Sequence, residues 1–134
     1  MILRSLGISL IATGVIAVGA AVACSCVHYE SAAAQLQEAE VMFIGRVEQT
    51  VTRRDDGMTV GVTRFAVERT LKGEARTVRR IEHSVVTGGM CGVVFQRDRT
   101  YTIIAHGYRG RLHTGSCSMP QFPLEEYDRA LAAH

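Results

Sequence analysis

The run VMFIGRVEQTVTRRDDGMTVGVTRFAVERTL spans residues 41–71. Two stretches rich in β-branched residues, 41–51 and 58–71, flank a polar RRDDG tip carrying an Asp56-Gly57 turn signal, the pattern of a long β-hairpin. Gly45 and Gly61 interrupt the two runs and mark expected bends.

Downstream, Lys72-Gly73-Glu74 makes a turn before RTVRRIEHSVV, 76–86. Strand geometry puts Arg79, Ile81, His83 and Val85 on one face and Arg80, Glu82 and Ser84 on the other. After Gly88-Gly89 come CGVVF, 91–95, TYTIIAH, 100–106, and RLHTG after the Tyr108-Arg109-Gly110 turn, all reading as short strands. Upstream, ESAAAQLQEA, 30–39, is rich in helix formers and lacks Gly, Pro and β-branched residues, so a short helix is expected. The tail opens with Pro120 and Pro123 and places Leu124, Tyr127 and Leu131 at helical spacing, with Glu125 and Glu126 in the first turn. Short, closely spaced strands with Gly at their bends predict a mainly β fold. The expected form is a small closed five-stranded barrel of OB type, with a short N-terminal helix and a C-terminal helix.

Residues 1–23 carry one charge, Arg4, ahead of an apolar stretch and the small-x-small sequence Ala21-Val22-Ala23. This is the layout of a signal peptide, with cleavage leaving Cys24 first and residues 24–134 as one domain. The run approaches the roughly 20 residues of a membrane span, but glycines at 7, 14 and 19 weaken it and no basic stop-transfer cluster follows. An alternative is a lipid anchor on Cys24, since Ala21-Val22-Ala23-Cys24 loosely fits an acylation site, although the usual Leu is missing. Once the signal is gone, no membrane association is expected. The location is secreted or periplasmic.

Loss of Arg4 takes the formal charge from +2 to +1, and basic residues are interspersed with acidic ones, as in Arg53-Arg54-Asp55-Asp56. Nucleic-acid binding is not indicated. The histidines at 28, 83, 106, 113 and 134 stand apart, and no motif joins a nucleophile, a base and an orienting group. No enzyme activity and no cofactor are expected.

The four cysteines, at 24, 26, 91 and 117, form an even set suited to pairing after export. Of three pairings, the one joining Cys24 to Cys26 is strained, because i and i+2 side chains oppose each other in an extended segment. Either remaining pairing ties both cysteines of the CSC segment to distant sites, each closing a long loop worth roughly 4 kcal/mol as an upper estimate. Termini ordinarily fray, so rigidity at residue 24 points to a use for a terminal amine. A thiolate and imidazole metal site on Cys24, Cys26 and His28 is a further alternative.

CSCVH at 24–28, EVMFIGRV, TLKG, MCGVVF, YTIIAHG and RLHTGSC follow one another in an order that resembles the N-terminal domain of the tissue inhibitors of metalloproteinases, a netrin-like OB-fold group. The resemblance covers nearly all of residues 24–134 and is that of a single-domain relative. It implies disulfides Cys24–Cys91 and Cys26–Cys117; the third bridge of that domain has no cysteines here, and Val27-His28-Tyr29 replaces a Pro-containing stretch. It also implies a function, a metalloendopeptidase inhibitor whose partner is a zinc endopeptidase; a monomer is expected. By the resemblance, the Cys24 amine and carbonyl chelate the target's zinc, Ser25 enters its specificity pocket, Cys26 and Val27 follow the cleft, and Gly89 and Met90 add a second edge. The alternative is an exported OB-fold binding module without inhibitory activity.

Overall fold

A computed structural model describes residues 24–86 and 91–133. The expected signal peptide 1–23 and the contact residues Gly89 and Met90 lie outside the described residues.

The hairpin is longer than its hydrophobic pattern suggests. Strand β1, Val41–Asp55, and β2, Met58–Lys72, pair through Arg53↔Val60, Arg54↔Thr59 and Asp55↔Met58. The polar residues expected to form the tip therefore belong to the ladder, because backbone pairing continues wherever both side-chain faces can stay wet. Only Asp56 and Gly57 turn, with φ of 46° and 80°, the left-handed pair that a two-residue hairpin requires.

Strand β3, Val78–Ser84, pairs antiparallel with β2, and β4, Thr100–Tyr108, pairs antiparallel with the first half of β1. Strand β5, Arg111–Thr114, bridges the gap, antiparallel to β4 and parallel to β3 over Glu82↔His113 and His83↔Thr114. The cyclic order β1-β2-β3-β5-β4 makes a ring of five strands. Register shifts at Met42/Phe43, Ile44/Gly45 and Val47/Gln49 coil the hairpin so that β1 serves two partners. Gly45 sits at one of these shifts, as expected. Gly61 does not: it pairs in unbroken register with Thr52 and His83. A Cβ there would lie 2.8 Å from His83 Cε1 and 2.7 Å from Val85 Cγ1, so this glycine makes room for a buried imidazole rather than a bend.

Alternation sorts the core into two layers. Inside the ring lie Val41, Phe43, Val47, Phe65, Ile81, Phe95, Ile103 and Ala105. Outside it, Met42 and Ile104 meet the helices α1, Ala32–Glu38, and α2, Leu124–Ala132, through Ala32, Leu36, Ala39 and Tyr127. Ser31 caps α1, its Oγ accepting from Ala34 N–H at 3.1 Å. At the other end, Lys72 Nζ donates to the Leu36 carbonyl at 2.6 Å and also to that of Ala39. A cation there complements the negative end of the helix, sharing the Leu36 carbonyl with the Ala39 N–H.

The expected strand at 91–95 does not form. Gly92 N–H and Val93 N–H bond the carbonyls of Val86 and Ser84 at 3.0 and 2.9 Å, and then the chain turns inward. Phe95 plugs the ring, edge-on to Phe65, His83 and Tyr101 at centroid distances of 5.3, 5.0 and 5.1 Å. Burying that ring outweighs continuing the ladder.

Candidate functional site

The CSC segment is held by two disulfides, Cys24–Cys91 and Cys26–Cys117, with Cα separations of 5.4 and 5.0 Å. This is the pairing the resemblance implied. The two anchors lie side by side because Ser116 N–H donates to the Cys91 carbonyl at 3.0 Å, while the 3-10 turn Ser116–Ser118 presents Cys117. Cys24 Sγ lies 3.2 Å from Cys117 Sγ, so the bridges pack against each other.

The Cys91 anchor depends on its neighbour. Cys91 itself takes a left-handed φ of 53°, and a Cβ on Gly92 would run into the Val86 carbonyl. The chain can make this tight approach only where residue 92 lacks a side chain. That is the local reason for the Cys91-Gly92 sequence.

A third tether is made by Gln121. Its Nε2 donates to the Val27 carbonyl at 2.7 Å, and its Oε1 accepts from Tyr29 N–H at 2.9 Å. Gln121 is in turn placed from inside the protein. Its backbone N–H faces Gln35 Oε1 and Tyr127 Oη, each at 3.1 Å. The Tyr127 hydroxyl donates to Gln35 Oε1, and Gln35 Nε2 donates to the Met119 carbonyl at 3.1 Å. Gln35 and Tyr127 are both buried, and burial raises the Tyr127 pKa, keeping the phenol protonated as a donor. Both helices thus position the segment that follows the staples.

Spacing and the resemblance brought out the cysteines but not this network. One signal was present: Gln35 lies on the same face of α1 as Ala32, Leu36 and Ala39, where an amide needs a buried partner. Gln121 gave none, standing between two prolines without periodicity.

The result is a short ridge with a fixed backbone. Cys24 and Cys26 are half-buried, Ser25 and His28 are exposed, and Val27 is 70% exposed. An apolar side chain so presented, on a backbone fastened at residues 24, 26, 27 and 29, is preorganised for contact. Among the described residues, the donor side chains close enough to share one ion are Cys24, Cys26 and Cys117, with no part for His28. All four cysteines are in disulfides, so these sulfurs lack the thiolate charge that makes cysteine a strong ligand. Among the described residues, no helix is long and apolar enough to cross a membrane.

Compared with models of known protein families and with curated proteins, the chain matches neither.

Proposed function

We propose that the protein is an exported inhibitor of a zinc endopeptidase, built on a netrin-like OB barrel and acting through the ridge that begins at Cys24. The observation that carries this reading is the double fastening of Cys24 and Cys26, which leaves Ser25 and Val27 exposed on a backbone tethered on both sides of Ser25. The order of landmarks along the sequence supports it.

A catalytic zinc keeps one position open for water or substrate. With the signal removed, the neutral α-amine and the carbonyl of Cys24 form a five-membered chelate on that ion; an α-amino pKa near 8 makes the neutral form accessible. Ser25 then faces the specificity pocket, and Cys26 and Val27 run along the cleft. Because the staples and Gln121 order the ridge beforehand, little conformational entropy is lost on association.

The test compares protein starting at Cys24 with protein carrying one additional alanine before it, against zinc endopeptidases of the same extracytoplasmic compartment. Inhibition is expected from the first and a loss of about a hundredfold or more from the second, since the amine is then an amide. Equal inhibition by both forms, or none by the first, overturns the proposal. Binding to a protein partner that tolerates the extension points instead to an OB-fold binding module.

A further inference from the structure

Strand β3 carries an arginine on its inward face. Arg79 shares that face with Ile81 and His83, both buried, and is itself only 7% exposed. Its guanidinium stands over the Phe43 ring, 5.9 Å from the centroid. The Nη2 group donates to the Glu74 carbonyl, and buried Nε has no hydrogen-bond partner.

Arg79 forms no ion pair among the described residues. The neighbouring carboxylates are engaged elsewhere: Glu74 with Arg76 at 2.8 Å, and Glu82 with Arg53 at 2.6 Å and Arg111 at 3.2 Å. Glu40 packs its carboxylate against Gly107. A guanidinium keeps its proton under all ordinary conditions, so the molecule holds a buried positive charge that the carboxylates of Glu74 and Glu40 favour from nearby without forming an ion pair. Such a charge is strongly unfavourable unless something compensates it.

The same arginine lines a cavity of about 660 Å³ together with Arg76, Arg80 and Arg111 and with the carboxylates of Glu40, Glu74 and Glu82, of which Glu74 is paired with Arg76 and Glu82 with Arg111. Arg80 is exposed on the opposite face of β3, so Arg79 is the arginine that the strand turns inward without an ion-pair partner among the described residues. Val41, Val62, Val78 and Leu112 supply an apolar wall. The volume suits a small organic molecule, and guanidinium forks match the geometry of carboxylate and phosphate oxygens. None of the lining residues belongs to the stapled ridge 24–29.

We propose that this cavity binds a small organic oxyanion, a carboxylate or phosphate ester, with Arg79 holding its charged group and the valine and leucine wall its apolar body. The site is independent of protease inhibition, and either can exist without the other.

Benzoate and phenyl phosphate, titrated into the purified protein at constant ionic strength, supply the two oxyanion classes. Saturable shifts in the NMR spectrum are expected for residues lining the cavity, including the Arg79 Nε–H, from at least one probe at millimolar or lower concentration. The tighter of the two identifies the class. Arg79→Gln is expected to weaken binding by about tenfold or more, and Arg79→Lys, which keeps the charge but loses the planar fork, by less, whereas Arg54→Gln, an exposed change outside the cavity, leaves it unaltered. Arg79→Lys serves if Arg79→Gln does not fold. Absence of saturable binding by both probes, or binding that neither cavity variant weakens, overturns the proposal.

Discussion

His83 shows how one side chain can be both buried and polar without frustration. Its Nδ1 faces the Ser84 carbonyl at 3.4 Å, an acceptor only, so Nδ1 carries the proton. Nε2 therefore accepts from the Thr63 hydroxyl at 2.7 Å, and Thr63 accepts from Thr50 at 2.7 Å. Desolvation lowers the His83 pKa from its ordinary value of 6.5, only partly offset by its backbone contacts. The unfolded chain then binds a proton that the folded one refuses. Stability from this residue is complete above pH 6.5 and declines as pH falls toward the depressed folded value, with a slope of at most about 1.4 kcal/mol per pH unit. Chemical unfolding followed between pH 7 and pH 5 is expected to show this decline, with a shallower one in His83→Gln; identical slopes would refute it. The alternation of residues 79–85 already placed His83 beside Ile81, but the hydroxyl chain it joins, Thr63 and then Thr50, comes from two other strands that no local pattern links.

At the scale of elements, α1 and α2 act on the N-terminal ridge through Gln35, Tyr127 and Gln121. Helix α1 was legible from composition and α2 from the spacing of Leu124, Tyr127 and Leu131. Their joint role was not, because an amide at position 35 on the buried face of α1 calls for a partner without saying that residue 121 is that partner. Gln121→Ala removes the side-chain clamp on Val27 and Tyr29 but keeps the backbone N–H that meets Gln35 and Tyr127. Hydrogen exchange is expected to accelerate at the Tyr29 amide, while global stability falls by only about 1 kcal/mol. Unchanged exchange at Tyr29 would show that the disulfides alone hold the ridge. The missing strand at 91–95 has a similar origin: CGVVF has strand composition, yet the place open to Phe95 is the interior of the ring.

For the whole molecule, the two staples close intervals of 67 and 91 residues. Restricting the unfolded chain over such lengths is worth roughly 4 kcal/mol each as an upper value. Replacing either pair by serines is expected to lower the thermal midpoint by on the order of 10 °C or more, measured by calorimetry; an unchanged midpoint would contradict this. The paired loss should also be smaller than that of Cys24→Ser alone, which leaves Cys91 an unpaired thiol beside a tight turn. The sequence by itself determined the hairpin, the two helices and the turns, since these follow from side-chain period, glycine and local propensity. It also narrowed the cysteine pairing to two choices by the geometry of neighbouring residues. Tertiary structure alone decided how the ring joins β3 to β5, that Phe95 fills it, and that Arg79 is left without an ion-pair partner. Those outcomes depend on which distant groups compete for the same space and the same hydrogen bonds, and no single segment encodes that competition.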